Sequence, residues 1–267
     1  MRSSASMSTS MHLGILDWGI GGLDLYRRLR AAGSRRDVVY WSDAGAPPYG
    51  TLPERVLHDR VATVIERLAD EGCTQVVVAC NAASTVLAAP ELVRRVAARG
   101  CEVVGVIEPA IAAVRREQLS AVAVIGGRRT IESRAYAEPL QATGVRVDQR
   151  VAQPLSALVE RGLTEGPEVE ACLAEILAPL RDAEHLVIAC THYVAALPAI
   201  RRELPRLRTV VDPAAETLAW VEARWGLHGG EGLARFVTTG EPAAMREAAR
   251  LAFGLGLPPV ETVTTRS

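Results

Sequence analysis

Two cysteines occupy matching places in the chain and could carry acid–base chemistry. Cys80 ends the segment VVVAC and Cys190 ends the segment LVIAC, and a polar residue follows each of them. A thiolate can remove a proton from one face of a carbon atom while a thiol returns a proton to the opposite face. Because a free thiol has a pKa of about 8.5, each cysteine needs charged or hydrogen-bonding partners. The pair predicts proton transfer at a carbon centre; burial as a small apolar residue is the alternative for either thiol alone.

Two further side chains are candidate partners for these thiols. Asp17 ends the apolar segment HLGILD, and we expect it beside Cys80 at one sheet edge. A turn or helix N-cap is the alternative role for an aspartate at such a junction. His192 lies two residues after Cys190, where an imidazole could share a proton with the thiol, although a histidine can also simply begin a helix.

Apolar segments that alternate with amphipathic ones must position these residues. The pattern predicts strands over residues 12–17, 38–42, 75–79, 102–107, 121–125, 146–151, 186–189 and 208–211. It predicts helices over residues 23–32, 53–71, 83–99, 133–143, 167–183 and 195–203. Strands separated by helices indicate parallel sheets covered on both faces. Ligands bind outside the carboxyl ends of such strands, and both cysteines are expected there, each before a helix N-terminus that favours a thiolate or a bound carboxylate.

Three landmarks recur in the same order and indicate an internal duplication. The two cysteines are 190 − 80 = 110 positions apart, and Pro109 and Pro213, which follow two further strands, are 213 − 109 = 104 positions apart. The turns that begin at Asp17 and Gly126 lie at a similar separation. We therefore predict two similar doubly wound α/β domains with parallel-sheet cores, related by a pseudo-twofold axis, with the active site in the cleft between them.

The duplication also predicts domain boundaries. The first domain is expected to comprise residues 12–107 plus 212–267, and the second residues 108–211. Residues 1–11 are small and polar and lack the apolar segment of a signal peptide, so we expect a disordered leader.

Composition excludes several function classes. All 30 basic residues are arginine, so the chain has no lysine for a pyridoxal-phosphate Schiff base or a Walker-type phosphate loop. A formal net charge of −1 favours neither nucleic acid nor anionic membrane, and no apolar segment approaches the roughly 20 residues that span a bilayer. Five irregularly spaced cysteines favour reduced thiols and a cytoplasmic protein. We expect no cofactor.

Two other ligand classes are disfavoured by spacing. A metal site built from Cys80, Cys190 and His192 would lack an evident fourth ligand, and Cys-x-His is not a usual zinc spacing, so we expect no metal. The glycine-rich segment Gly19–Gly22 lacks the GxGxxG pattern of dinucleotide sites. Its N–H groups are better suited to hold a carboxylate.

Several ordered motifs between about residues 12 and 260 resemble those of the glutamate racemases, within the aspartate/glutamate racemase superfamily. The motifs are DWGIGG from Asp17, PYG from Pro48, CNAAS from Cys80, VIEPA from Val106, TIESRAY from Thr130, PLSALVERG ending at Gly162, CTHY from Cys190 and TTGEP from Thr238.

The resemblance implies a cofactor-independent racemase that makes D-glutamate for peptidoglycan. It implies that Cys80 and Cys190 are the acid/base residues, that Asp17 assists Cys80, and that His192 and Glu160 assist Cys190. Without the resemblance, Glu160 would read as a surface carboxylate on a helix. The implied substrate site comprises Asp17, Trp18, Pro48, Tyr49, Gly50, Asn81, Ala82, Thr191 and His192. The implied partners are a small amino acid and a second copy of the chain in a homodimer, although no apolar stripe identifies an interface.

Three departures from the family pattern leave the substrate open. Trp18 and Ala82 replace a serine and a threonine whose hydroxyl groups hold the amino acid in the family, and Gln153 replaces a common cysteine. Each lost hydrogen bond is worth about 0.5–1.5 kcal/mol. The alternatives are a racemase for another amino acid, a catalytically weak binding or regulatory homologue, and a lyase or decarboxylase that needs only one protonating cysteine.

Overall fold

The computed structural model describes residues 12–264 as two parallel sheets with helices packed on both faces of each. The strands are β1 (His12–Asp17), β2 (Val38–Ser42), β3 (Cys73–Val78), β4 (Glu102–Gly105), β5 (Ala121–Gly126), β6 (Arg146–Val151), β7 (His185–Ala189), β8 (Thr209–Val211), β9 (Ala234–Thr238) and β10 (Val260–Thr262). The helices are α1 (Leu23–Ala31), α2 (Glu54–Asp70), α3 (Asn81–Ser84), α4 (Pro90–Ala98), α5 (Ile107–Arg116), α6 (Arg128–Glu132), α7 (Ala137–Gln141), α8 (Gln153–Glu160), α9 (Pro167–Leu177), α10 (Leu197–Glu203), α11 (Pro213–Trp225) and α12 (Pro242–Phe253). The expected α/β class with two parallel-sheet cores is confirmed.

The two sheets repeat one strand order. The first sheet runs β10-β9-β2-β1-β3-β4 and the second runs β6-β5-β7-β8, and every pair of neighbours is parallel. The order β2-β1-β3-β4 becomes β6-β5-β7-β8 when four is added to each strand number. Consequently β3, which precedes Cys80, and β7, which precedes Cys190, hold equivalent places.

Alternation along the inner strands builds a core on both faces of each sheet. In β1, Leu13 and Ile15 pack on one side and Leu16 on the other. In β7, Ile188 and Val187 likewise belong to opposite sides. Because helices cover both faces, the inner positions of these strands are apolar on both sides, and polar residues occur at or beyond the strand ends.

Two predicted helices are interrupted in the structure. The helix expected over 83–99 is divided into α3 and α4, because Pro90 begins α4 and the preceding Ala89 has extended backbone. Of the helix expected over 133–143, only α7 forms, because Arg134 has a left-handed backbone at φ 56°; α6 ends at Glu132, before the predicted start. The strand expected through residue 107 ends at Gly105, and Ile107 begins α5.

Residues near the C-terminus complete the first sheet. Strand β9 pairs with β2, and β10 pairs with β9. The sequence patterns had not assigned β9, β10, α5, α6, α8, α11 or α12. The proposed domain boundaries stay a prediction, and the expected leader, residues 1–11, lies outside the described residues. Within residues 12–264, no helix is long and apolar enough to cross a bilayer.

Candidate active site

A cavity of about 390 Å³ lies at the carboxyl ends of the strands, between the two sheets. Cys80 reaches it from the end of β3 and Cys190 from the end of β7. The structure places every site residue expected from the sequence along this cavity: Asp17, Trp18, Pro48, Tyr49, Gly50, Cys80, Asn81, Ala82, Glu160, Cys190, Thr191 and His192. The arrangement therefore brings one thiol from each sheet to a single cavity.

The Cys80 sulfur lies in a buried environment with a carboxylate nearby. The side chain is 8% exposed. Burial raises the pKa of Cys80 far above its ordinary value, and the negative charge of Asp17 raises it further, while backbone N–H groups of Ala83 and Trp18 oppose the rise. These surroundings favour the protonated thiol at Cys80.

Asp17 is fully buried and held by donors from both halves of the molecule. Its Oδ1 accepts a hydrogen bond from the backbone N–H of Gly19 at 3.3 Å. Its Oδ2 accepts one from the Thr191 hydroxyl at 2.9 Å. Burial raises the pKa of Asp17, although His192 and the Thr191 hydrogen bond work in the opposite direction. The carboxyl group thus sits where its protonation state is sensitive to small changes in its neighbours.

The Cys190 sulfur is surrounded by side-chain partners. It lies 3.7 Å from His192 Nδ1 and 3.5 Å from Ser156 Oγ. The other ring nitrogen of His192, Nε2, is 2.5 Å from Glu160 Oε2. Burial alone would lower the pKa of His192, but its hydrogen bonds with Cys190 and Glu160 outweigh that effect and raise the pKa well above the ordinary value. The His192 imidazole is therefore placed to share a proton with the Cys190 sulfur.

Glycines allow the two halves to approach closely at the cavity. A Cβ on Gly21 would lie 2.2 Å from Thr191 Oγ1, and one on Gly19 would lie 2.7 Å from the Glu160 carboxylate oxygens. The N–H of Ile20 also donates to Glu160 Oε2, at 3.5 Å. Because Gly19–Ile20 belong to the first half and Glu160 to the second, the partner of His192 also holds the two halves together.

The loop with the Pro48-Tyr49-Gly50 motif is anchored by a buried polar network. Asp43 accepts hydrogen bonds from the Tyr49 hydroxyl at 2.7 Å and from the Arg60 guanidinium at 2.5 and 2.6 Å. Thr239, which follows β9, donates to the same carboxylate at 3.0 Å. The C-terminal addition to the first sheet therefore helps to fix one wall of the cavity.

The side chains of Trp18 and Ala82 give the cavity an apolar wall near Asp17. The indole N–H of Trp18 donates to the carbonyl of Ala46 at 2.9 Å and is therefore directed away from a ligand. Ala82 offers only a methyl group. Neither Trp18 nor Ala82 therefore offers a ligand the hydrogen bonds that the serine and threonine hydroxyl groups of the family pattern would make.

Asn81 presents a free donor to the cavity. The side chain is 3% exposed, and its Oδ1 accepts a hydrogen bond from the Tyr136 hydroxyl at 2.7 Å. Its Nδ2 is buried and has no hydrogen-bond partner within residues 12–264. Because an unpaired buried amide costs about 1–3 kcal/mol, this group is suited to a ligand oxygen.

Sequence reasoning missed one face of α8. Gln153, Ser156, Ala157 and Arg161 line the cavity together with Glu160. The spacing i, i+3, i+4, i+7 and i+8 puts them on one side of a helix. Gly127, Thr130 and Ala189 also line the cavity without having been singled out as site residues. The signal that could have identified α8 was this polar stripe in the segment QPLSALVER.

No cluster of three histidine, cysteine or acidic side chains suited to a metal ion occurs in the part of the chain that the structure describes. The chemistry available from the present groups is proton transfer between thiol, imidazole and carboxyl groups, together with hydrogen bonding to carboxylate oxygens.

The chain is similar in sequence to known racemases. The family described as Asp/Glu/Hydantoin racemase matches residues 13–220. A glutamate racemase from Shouchella clausii is 36% identical over 251 residues, covering 90% of this chain and 89% of the relative.

Two crystal structures extend the likeness over nearly the whole chain. Glutamate racemase from Thermus thermophilus, in complex with β-chloro-D-alanine, is 30% identical with a TM-score of 0.82, and the match covers 96% of this chain and 98% of that chain. Glutamate racemase from Francisella tularensis, in complex with D-glutamate, has a TM-score of 0.85 with the same coverage at 24% identity. The second likeness is one of fold.

Proposed function

The chain belongs to the Asp/Glu/Hydantoin racemase family, and on that premise we propose that it interconverts L- and D-glutamate through Cys80 and Cys190 and supplies D-glutamate for peptidoglycan. It is an isomerase of the amino-acid racemase type. One observation carries the proposal: the two thiols line one cavity from opposite sheets, each with its own polar partners.

The proton transfers follow from the position of one thiol on each side of the cavity and from the polar groups beside each of them. In one direction, the Cys190 thiolate takes the α-proton of the amino acid, and the Cys80 thiol donates its proton to the opposite face of the same carbon. Cys190 is then a thiol and Cys80 a thiolate, so the reverse direction uses the same groups in exchanged roles. We assign Asp17 to Cys80 and the His192–Glu160 pair to Cys190.

The cavity also offers groups that could hold the amino acid. Asn81 Nδ2 is a buried donor without a partner among residues 12–264, and it is suited to a carboxylate oxygen. Thr191, Tyr49, Gly50 and Pro48 border the same space. Trp18 and Ala82 would pack against the ligand rather than donate to it.

The proposal is tested by following hydrogen exchange at the α-carbon. Purified protein is incubated with L-glutamate in heavy water, and both deuterium incorporation and the D-isomer are measured. The wild type should form deuterated D-glutamate. Cys80→Ser and Cys190→Ser should each lower racemisation by about 10²–10⁴-fold, the usual contribution of general acid–base catalysis. Cys172→Ser on α9, away from the cavity, is the control.

Specific outcomes would overturn the assignment. A protein that binds glutamate but incorporates no deuterium would be a binding homologue. Full racemisation by Cys190→Ser would exclude the two-thiol reaction and favour a mechanism with one protonating cysteine.

A second candidate substrate class is favoured by the apolar wall at Trp18 and Ala82. Because the Trp18 N–H is committed to the Ala46 carbonyl, the enzyme could prefer an amino acid with a less polar side chain. A panel of L-amino acids assayed for racemisation distinguishes the two classes. A clear preference for glutamate at ordinary rates would exclude the second.

We also propose that the enzyme works in the cytoplasm. Two facing thiols must stay reduced to exchange protons, and reducing compartments keep them so. The homodimer implied by the family resemblance stays a prediction.

A further inference from the structure

Ser156, on α8, places one hydroxyl group between Cys190 and Tyr193. Its Oγ lies 3.5 Å from Cys190 Sγ and 3.3 Å from the Tyr193 hydroxyl oxygen. The Tyr193 hydroxyl donates its own proton to the carbonyl of Ala152 at 2.7 Å. The tyrosine oxygen is therefore free to accept a hydrogen bond from Ser156.

A serine hydroxyl has one proton and two acceptor lone pairs, so it can take two arrangements here. When Cys190 is a thiolate, the Ser156 O–H can donate to the sulfur. When Cys190 is a thiol, its S–H can donate to Ser156 Oγ while the Ser156 O–H turns to Tyr193. Rotation of a single O–H bond converts one arrangement into the other, and Cys190 keeps a hydrogen-bond partner in both.

We propose that Ser156 is a positioning residue that keeps Cys190 hydrogen-bonded in both of its protonation states. The inference rests on the proposed two-thiol reaction, in which Cys190 must alternate between these states. Cys80 has a different arrangement, since the groups that oppose its protonation are backbone N–H groups, whose protons are fixed in direction. The rotating hydroxyl is thus a feature of the Cys190 side.

Removal of the hydroxyl should disfavour the thiolate more than the thiol. Hydrogen bonds to an ionised acceptor are roughly twice as strong as those between neutral groups. The other titratable groups that act on Cys190 or its partners are Cys80, Tyr136, Tyr193, His192, Glu160 and Asp17 through His192, and Cys172 through Tyr193. The parent protein and its Ser156 variants have the same set of these groups, so a difference in ionisation between them reports on the lost hydroxyl.

The test measures alkylation of Cys190 by iodoacetamide as a function of pH, quantified by mass spectrometry of the Cys190 peptide. Cys80→Ser serves as the parent, so that one thiol of the pair is observed and turnover is not needed. Ser156→Ala should move the midpoint of the alkylation profile upward by about one pH unit, an effect of the size expected for one charge-assisted hydrogen bond.

A matched pair separates the hydroxyl from side-chain volume. Ser156→Thr retains the hydroxyl and should keep the parental midpoint, whereas the isosteric Ser156→Val should shift like Ser156→Ala. Ser120→Ala, at the start of β5 and remote from the thiols, should leave the profile unchanged. Circular dichroism and thermal unfolding check that each variant is folded.

The outcomes for this proposal and for the two-thiol reaction are separate. A profile of Ser156→Ala that coincides with the parent, or an equal shift in Ser156→Thr and Ser156→Val, would overturn the role of the hydroxyl. The two-thiol reaction would still stand if Cys80→Ser and Cys190→Ser fail to racemise. Conversely, racemisation by either single-thiol variant would refute that reaction even if the alkylation midpoint shifts as expected.

Discussion

Cys80 and Cys190 follow equivalent strands, but the groups around their sulfur atoms differ. Cys80 is buried near the Asp17 carboxylate and approached by backbone N–H groups, and its pKa is raised. Cys190 is more exposed and contacts the side chains of His192 and Ser156. An anion disfavours a thiolate and a protonated imidazole favours one. Duplication of a fold can therefore repeat the position of a reactive group while its protonation is set separately on each side.

The difference between the surroundings of Cys80 and Cys190 is tested most directly by removing one charged partner from each thiol. Asp17→Asn and His192→Asn should both lower racemisation by about 10²–10³-fold, because each removes an acid–base partner. Thiol alkylation at neutral pH should change in opposite directions. It should rise by about tenfold at Cys80 in Asp17→Asn, because a repelling charge is lost, and fall by about tenfold at Cys190 in His192→Asn.

Mass spectrometry of the two cysteine peptides, with Cys172 as the internal reference, measures both rates in one sample. A change of the same sign at both cysteines would show that the two sides are not electrostatically distinct.

The contact between the halves can be disturbed without replacing a charged residue. Gly21→Ala places a Cβ 2.2 Å from Thr191 Oγ1 and 2.9 Å from His192 Nδ1, so the second half must move. Displacement of about 1 Å at a catalytic group can cost roughly 10²-fold in rate. Gly256→Ala is the matched control, because a Cβ there meets nothing within 4 Å. Equal kcat/KM values for the two variants would argue against tight approach of the halves during catalysis.

Glu160→Gln tests how the ionisation of His192, the neighbour of Cys190, affects the reaction. Loss of the carboxylate should lower the pKa of His192, so the alkaline fall in racemisation should begin at a lower pH and reduce the rate there by about tenfold. Because the folded-state pKa of His192 is raised, its contribution to stability is complete below its unfolded value of about 6.5 and is lost as pH rises through the folded value.

Thermal unfolding of Glu160→Gln from pH 6 upward measures that contribution. The loss in Tm should be largest at pH 6 and should diminish as pH rises. A loss that stays constant over this range would assign Glu160 to packing rather than to proton sharing.

Thr191→Val is the mildest test and addresses the Cys80 side. The Thr191 hydrogen bond works against the rise in the pKa of Asp17, so its removal should move the acid limb of the rate profile upward by about one pH unit. Well above the acid limb, the rate should fall only about threefold, since one hydrogen bond is lost. Thr63→Val on α2, whose hydroxyl bonds to the Asp59 carbonyl, is the control. An unshifted acid limb would show that the ionisation of Asp17 does not cause the fall in rate at low pH.

Strand positions were largely predictable from the sequence. β1, β2 and β6 have the bounds that the sequence pattern indicated. β2 is buried along its whole length because helices cover both faces of its sheet, whereas β6 lies at a sheet edge and alternates exposed and half-buried residues. The divided helices were not predictable to the same degree. The break at Arg134 depends on one residue whose backbone is in the left-handed region, at φ 56°. The periodicity of apolar residues does not indicate such a conformation.

The sequence by itself determined where the two thiols and two of their partners would lie. Cys80, Cys190, Asp17 and His192 each stand at or just beyond the end of an apolar strand, and in a parallel sheet such ends share one edge. Local order along the chain is sufficient to place them there, and the repeat of the pattern indicated two sheets.

Only the tertiary structure decided which of these groups meet. Thr191 donates to Asp17 across 174 positions of sequence, Glu160 reaches Ile20 across 140, and Ser156 meets Cys190 across 34. The first two contacts depend on how the two sheets pack against each other, and the third depends on how α8 packs beside β7. No local spacing encodes that packing. The protonation of each thiol follows from those contacts, because burial and neighbouring charge act through space rather than along the chain.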